Sequence, residues 1–225
     1  MTAAGALLAP RSAARSRVRA PAQRTPDFRA LLGEAAWAEL PAAVRARFGA
    51  AAHAAPRDFP GAMEVRISWL GWLFAQGCRL IGTPIAPWPG RVVPVMVSVS
   101  AIPGGGVRWT RTYAYPGRAP LSIVSMKLAA RDGSLLEVTR GGLGMRLALG
   151  VEAGALVFRS TSYFWRLGPW LLPIPDVLTP GRATVAHRDL GGGRFHFALG
   201  FVHPLAGETL ANAGDFADPP EPPRP

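Results

Sequence analysis

The sequence predicts an α+β fold: a strongly curved antiparallel β-sheet of about eight strands, half-barrel or barrel-like, wrapped around a hydrophobic helix, with short N-terminal helices at its edge. Three observations predict it. From Arg91 onward apolar residues recur at every second position, over segments 91–101, 106–115, 121–130, 134–140, 143–151, 155–165, 182–190 and 193–203. Hairpin punctuation separates these segments: Pro103-Gly104-Gly105-Gly106, Tyr115-Pro116-Gly117, Arg131-Asp132-Gly133, Arg140-Gly141-Gly142, Glu152-Ala153-Gly154 and Gly191-Gly192-Gly193. Finally, Trp69 to Leu80 is apolar almost all round, as a helix is when it is buried or lies on a membrane surface. A curved sheet must cover its inner face, so this helix is the expected plug.

The elements follow in order. Residues 1–26 carry Arg11, Arg15, Arg17, Arg19 and Arg24, no acid and no apolar period, and read as a disordered basic tail. Thr25 or Asp27 is placed to cap a short helix carrying Phe28, Leu31 and Leu32. A second helical piece runs from Pro41 to Phe48, with Pro in the first turn, Val44 and Phe48 four apart, and Gly49 as its stop. Phe59 to Val65 reads as extended. Gly82-Thr83-Pro84 ends the apolar helix, and Pro84, Pro87 and Pro89 make a stiff connector to the first hairpin. The link at 166–181 is the only long one among the hairpins, and Pro169, Pro173, Pro175 and Pro180 suit a path across the mouth of the sheet. One domain over 27–217, with a Pro-rich tail at 218–225, accounts for the 225 residues.

Hydrophobic residues make up 49 % of the chain, enough for a sizeable core, and 26 Gly with 23 Pro favour turns and short strands over long helices. The net charge of +11 is uneven: no acid occurs between Val65 and Arg131, where seven arginines and Lys127 fall. Such a field attracts anionic lipid, nucleic acid or an acidic partner. Lys127 is the only lysine, however, and codon composition produces the same arginine skew. Cys78 is single, which excludes an internal disulfide and makes a small core residue the simplest reading. The N-terminus lacks a convincing signal-peptide core, and the longest greasy stretch, Ile67 to Ile81, contains Gln76 and Arg79. The expected location is the cytoplasm.

The best pointer to a site is Val107 to Tyr115. As a strand it places Val107, Trp109, Arg111, Tyr113 and Tyr115 on one face and Arg108, Thr110 and Thr112 on the other. An arginine in the middle of an aromatic face must be paired or must point into a polar pocket. Glu137, on a neighbouring hairpin strand, is the expected partner. The pair either clamps the acidic end of an apolar ligand or fixes strand register. His187, His196 and His203 fall in the last two predicted strands; His203 shares a face with Phe195, Phe197 and Phe201, and His196 faces away. General acid–base work by His187 or His203 competes with a plain core or turn role. There is no His-Glu-x-x-His, and no metal or cofactor is expected. Gly141-Gly-Leu-Gly144 lacks the third glycine and the following helix of a dinucleotide fingerprint, and reads as a turn. No Gly-x-Ser-x-Gly occurs.

Several pieces between Asp27 and Phe216 occur together: Phe59-Pro-Gly-Ala-Met-Glu-Val, Trp109-Thr-Arg-Thr-Tyr, Asp132-Gly-Ser-Leu-Leu-Glu137, Tyr163-Phe-Trp-Arg-Leu-Gly168, Leu172-Pro-Ile-Pro175, and Phe195-His-Phe through His203-Pro-Leu-Ala-Gly207. In order and spacing they resemble the bacterial domain of unknown function (DUF) 4166 family. The family occurs alone and joined to NAD(P)-binding dehydrogenase-like domains. The resemblance therefore implies an accessory or ligand-binding role, and it transfers no catalytic residue.

Three functions follow as expectations. The leading one is a non-enzymatic domain binding an apolar or amphipathic acidic small molecule, with Trp109, Tyr113, Phe195, Phe197 and Phe201 lining the cavity and Arg111 holding the acid. The second is an enzyme or accessory subunit acting with a separate dehydrogenase-like protein, with Arg111, Glu137 and His187 converging in one pocket. The third is a basic peripheral protein that contacts anionic membrane or nucleic acid through residues 1–26.

Overall fold

A computed structural model describes residues 24–82, 85–130 and 132–219, together with the backbone of residues 18–19. The basic tail 1–26 and the Pro-rich tail 218–225 therefore lie largely outside the described residues. So does the helix stop at Thr83-Pro84.

The period-two segments form β-strands close to their predicted bounds. They are β3 (Gly90–Ala101), β4 (Val107–Tyr113), β5 (Leu121–Ala129), β6 (Leu135–Thr139), β7 (Leu143–Glu152), β8 (Ala155–Leu167), β10 (Arg182–Gly191) and β11 (Arg194–His203). Two further strands complete the wall. Strand β2 (Arg57–Ile67) extends the predicted 59–65 segment at both ends, and β12 (Gly207–Ala217) carries no clear period-two signal. β12 pairs with β11 on one side and β2 on the other, β2 pairs with β3, and β7 pairs with β8. The result is a closed antiparallel barrel of ten strands, two more than the pattern indicates. Closure removes both sheet edges. The long link contributes β9 (Trp170–Ile174), a flap paired with the far half of β8 and with β1 (Val18–Arg19).

An eight-stranded barrel is just wide enough for side chains to fill, and a ten-stranded one is wider. The extra width is filled at one end by the N-terminal helices α1 (Phe28–Leu32), α2 (Glu34–Glu39) and α3 (Ala42–Phe48). Asp27 caps α1, accepting from the Ala30 amide at 3.1 Å. Thr25 instead accepts from the Gly106 amide. Phe28, Leu40, Val44 and Phe48 are buried in the main core. The Phe48 ring lies 6.0 Å from Trp109 and 5.8 Å from Phe158, so α3 closes this end with an aromatic stopper. Arg47, beside it, bonds Asp189 and Asp218 and ties the stopper to the β10–β11 turn and the end of β12.

The plug is thus the N-terminal helices and not the apolar helix α4 (Trp69–Leu80). α4 lies across the opposite mouth. Ser68 caps it and bonds the Thr209 carbonyl on β12, and Gly82, just past its end, approaches Gly141 in the β6–β7 turn. A Cβ on Gly71 would sit 2.0 Å from the Thr209 oxygen, so only glycine lets the helix seat on the wall. Gly71, Ala75 and Cys78 face inward, while Trp69 is 75 % exposed. The correction has a physical cause: an all-round apolar helix reads as buried, but the barrel interior is already occupied from the other end.

The predicted path of the link across the mouth is also present. Its last part, 176–181, is pinned there: Tyr163 donates to the Gly181 carbonyl, Thr209 to the Pro180 carbonyl, and His203 Nε2 lies 3.2 Å from the Val177 carbonyl.

Candidate functional site

β4 alternates as expected: Val107, Trp109, Arg111 and Tyr113 point into the barrel, and Arg108 points out. The hairpin registers then set what faces them. Val107 stands opposite Lys127, Trp109 opposite Ser125, and Lys127 opposite Glu137. The single lysine of the chain is therefore inside the barrel.

This corrects the expected Arg111–Glu137 pair. Lys127 Nζ holds Glu137 Oε2 at 3.0 Å, both side chains being more than nine-tenths buried. The ammonium also sits 4.7 Å from the Trp109 ring centroid and 5.5 Å from that of Phe158. Lys127 rather than Arg111 reaches the carboxylate because β5 and β6 are neighbours, whereas β4 is one strand further away. Arg111 makes one polar contact, Nη1 to Ser125 Oγ at 3.4 Å, and stacks at 5.6 Å over Phe197. Among the described residues it forms no ion pair. It is only 7 % exposed.

The interior is consequently cationic. Burial pushes the Glu137 carboxyl up, but Lys127 and Arg111 outweigh it and hold the group below its ordinary value, so it is ionised. Burial pulls Lys127 down, with Glu137 opposing and Arg111 adding to the pull. Two cations thus face one carboxylate in a medium that penalises unbalanced charge.

Arg111 separates two internal spaces. Toward the α1–α3 plug is a space of about 20 Å³, room for a single water, bordered by Trp109, His187, Phe195 and Phe197. Trp109 Nε1 and His187 Nδ1 are buried without a partner among the described residues. Toward α4 is a larger cavity of about 120 Å³, lined by Arg111, Tyr113, Glu137, Leu199, Phe201 and Asn212 among others. Asn212 donates to the Tyr113 hydroxyl at 3.3 Å, and its Oδ1 is buried without a partner among the described residues. Leu143 and Pro180 are shared with a third space, a groove of about 410 Å³ between α4 and the β8–β9 flap. The interior cavity therefore adjoins a groove at the α4 mouth.

The nine sequence-predicted residues divide accordingly. Arg111 lines both internal spaces. Tyr113, Glu137 and Phe201 line the larger one, and Trp109, His187, Phe195 and Phe197 the smaller. His203 lines neither: Leu205 donates to its Nδ1 and its Nε2 bonds Val177, a turn-bracing role. Arg111, Glu137 and His187 do not share a pocket. Burial, then Lys127, Arg111 and Arg47, push His187 well below its ordinary value, and it is neutral at pH 7. His196 faces outward and pairs with Asp215 at 2.7 Å. Sequence reasoning missed Lys127, Ser125 and Asn212. Extending the odd face of β4 through two hairpin registers would have found the first two; Asn212 lay in the unrecognised β12.

Fold and cavity define a class: a closed antiparallel β-barrel, stoppered at one end by helices, with an apolar cavity bearing Arg111 and Glu137 toward the other. Residues 40–216 match the sequence model of a family described as "Domain of unknown function (DUF4166)", and the chain belongs to that family. The match covers the whole barrel from α3 to the end of β12. A comparison with curated proteins found no match.

Proposed function

We propose that the barrel is a binding domain for a small amphipathic acid. Arg111 takes the anionic head, and the apolar part runs past Leu199, Phe201 and Leu143 toward the groove under α4. One observation carries the reading: Arg111 is buried at the cavity without an ion pair among the described residues, while the nearby carboxylate, Glu137, is already held by Lys127. A fold retains such a cation at a cost unless an anion meets it. The unmatched Asn212 oxygen gives a second polar point at the same cavity. The surrounding apolar wall supplies affinity and the few polar groups supply orientation.

Native mass spectrometry of the purified chain, followed by denaturing extraction, tests this. A bound carboxylate or phosphate amphiphile, lost in Arg111→Met, is the expected result. Retention of the same ligand by Arg111→Met, or an apo mass even after incubation with excess octanoate, would overturn it.

A further inference from the structure

Most of the exposed large apolar side chains lie at one end of the molecule. On the outer face of α4, Trp69 is 75 % exposed and Leu80 89 %, with Trp72 between them. Trp170 stands out from the β8–β9 flap, Leu178 from the turn that follows it, and Leu205, 83 % exposed, from the β11–β12 turn. Three segments far apart in sequence thus present large apolar groups at the mouth opposite the plug. Large apolar groups exposed together on one face mark an interaction site.

Carboxylates are fewer at the same end, although Arg108 and Arg188 leave exposed arginines at the plug end as well. The carboxylates Asp132, Glu152, Asp189, Asp215 and Asp218 lie in turns and strand ends at the plug end. At the α4 end Glu208 and Asp176 are taken by Arg66 and Arg182. Arg79, Arg91, Arg118 and Arg140 remain exposed there without a carboxylate partner among the described residues.

Tryptophan and leucine tips ringed by arginines match the boundary between acyl chains and anionic headgroups. A bilayer accepts separate protrusions without shape matching, and the arginines around them favour an anionic one. We propose that the α4 end docks on an anionic lipid bilayer, with Trp69, Trp72, Leu80 and Leu205 in the headgroup–acyl boundary and the free arginines at the phosphates. Docking rests on this surface alone and stands whether or not the internal cavity holds a ligand. The described residues contain no helix long and apolar enough to cross a membrane, and α4, at 12 residues, is an in-plane element.

The test is co-sedimentation of the full chain with vesicles of phosphatidylcholine, with or without a quarter of phosphatidylglycerol, at physiological salt. The parent is expected to sediment with the anionic vesicles, with a blue shift in tryptophan emission. The double variant Trp69→Glu/Leu80→Glu, at exposed positions, should bind more than about tenfold less while keeping the parent urea midpoint. Leu190→Glu, exposed at the plug end, should bind like the parent. No binding by the parent would overturn the proposal. So would equal binding to neutral vesicles, or full binding by the double variant, which would assign attraction to the basic tail or to net charge.

Discussion

Arg111→Met removes the one interior charge that, among the described residues, has no ion-pair partner, and the structure sets the size of the effect. The variant loses a 3.4 Å contact to Ser125, at the weak end of hydrogen bonding, and a 5.6 Å stacking over Phe197; together these are worth about 1–2 kcal/mol. It also loses attraction to Glu137 and repulsion from Lys127, which oppose each other. It regains the desolvation cost of a buried guanidinium, several kcal/mol. Methionine fills nearly the same space. The ligand-free variant should therefore be more stable than the ligand-free parent by about 1–3 kcal/mol, or roughly 2–12 °C in Tm for a chain of this size. Urea unfolding followed by circular dichroism measures this, on samples shown by native mass spectrometry to carry no ligand, because bound ligand would stabilise the parent alone. A loss of more than about 2 kcal/mol would refute the reasoning and make Arg111 a structural residue.

Other predictions test the surroundings. Glu137→Gln leaves Lys127 and Arg111 facing each other and should cost about 3–5 kcal/mol in urea unfolding; a cost below about 1 kcal/mol would mean that the buried pair does not hold β5 to β6. Because the Glu137 carboxyl is held below its ordinary 4.5, its contribution is complete above that pH and disappears as the pH falls below it; the acid limb of the parent should be steeper than that of Glu137→Gln. His187, buried neutral, takes up a proton on unfolding, so stability should fall as the pH drops below 6.5, and His187→Phe should flatten most of that slope. A small remnant belongs to His53, which burial and then Arg57 shift the same way. Arg47→Met strips the tie from α3 to Asp189 and Asp218 and should raise amide exchange in 42–53 and 214–219; unchanged exchange would show that packing alone holds the stopper. Phe48→Ala should cost about 3–5 kcal/mol by emptying the plugged end.

Much of the wall is legible in the sequence, because alternation and glycine turns are local signals and both point the same way from β3 to β11. β12 is different. Its Gly-Glu-Thr-Leu-Ala-Asn-Ala-Gly-Asp-Phe-Ala has weak strand propensity, and its conformation is imposed by two neighbours that need a hydrogen-bonding partner. Its glycine fits a close approach that a side chain would block: a Cβ on Gly214 would lie 1.9 Å from the Ala62 oxygen. All-round apolarity makes α4 look like a plug but does not say what covers a helix, and its outer tryptophans are exposed.

The site was half legible. Arg111 stands out on an aromatic face, and its burial follows from alternation alone. The partner of Glu137 depends on which strands are adjacent, and one lysine among arginines looks like a compositional detail until two hairpin registers place it opposite the carboxylate. The separation of His187 from Glu137 is a matter of height along the barrel axis, which the period of a strand does not encode.

The most direct measurement of the central claim is calorimetric titration of ligand-free parent and Arg111→Met with octanoate and with octanol, which share a chain and differ in charge. The parent should prefer octanoate, and the variant should lose about ten- to hundredfold of octanoate affinity while binding octanol unchanged. Equal preference for acid and alcohol in parent and variant would contradict it.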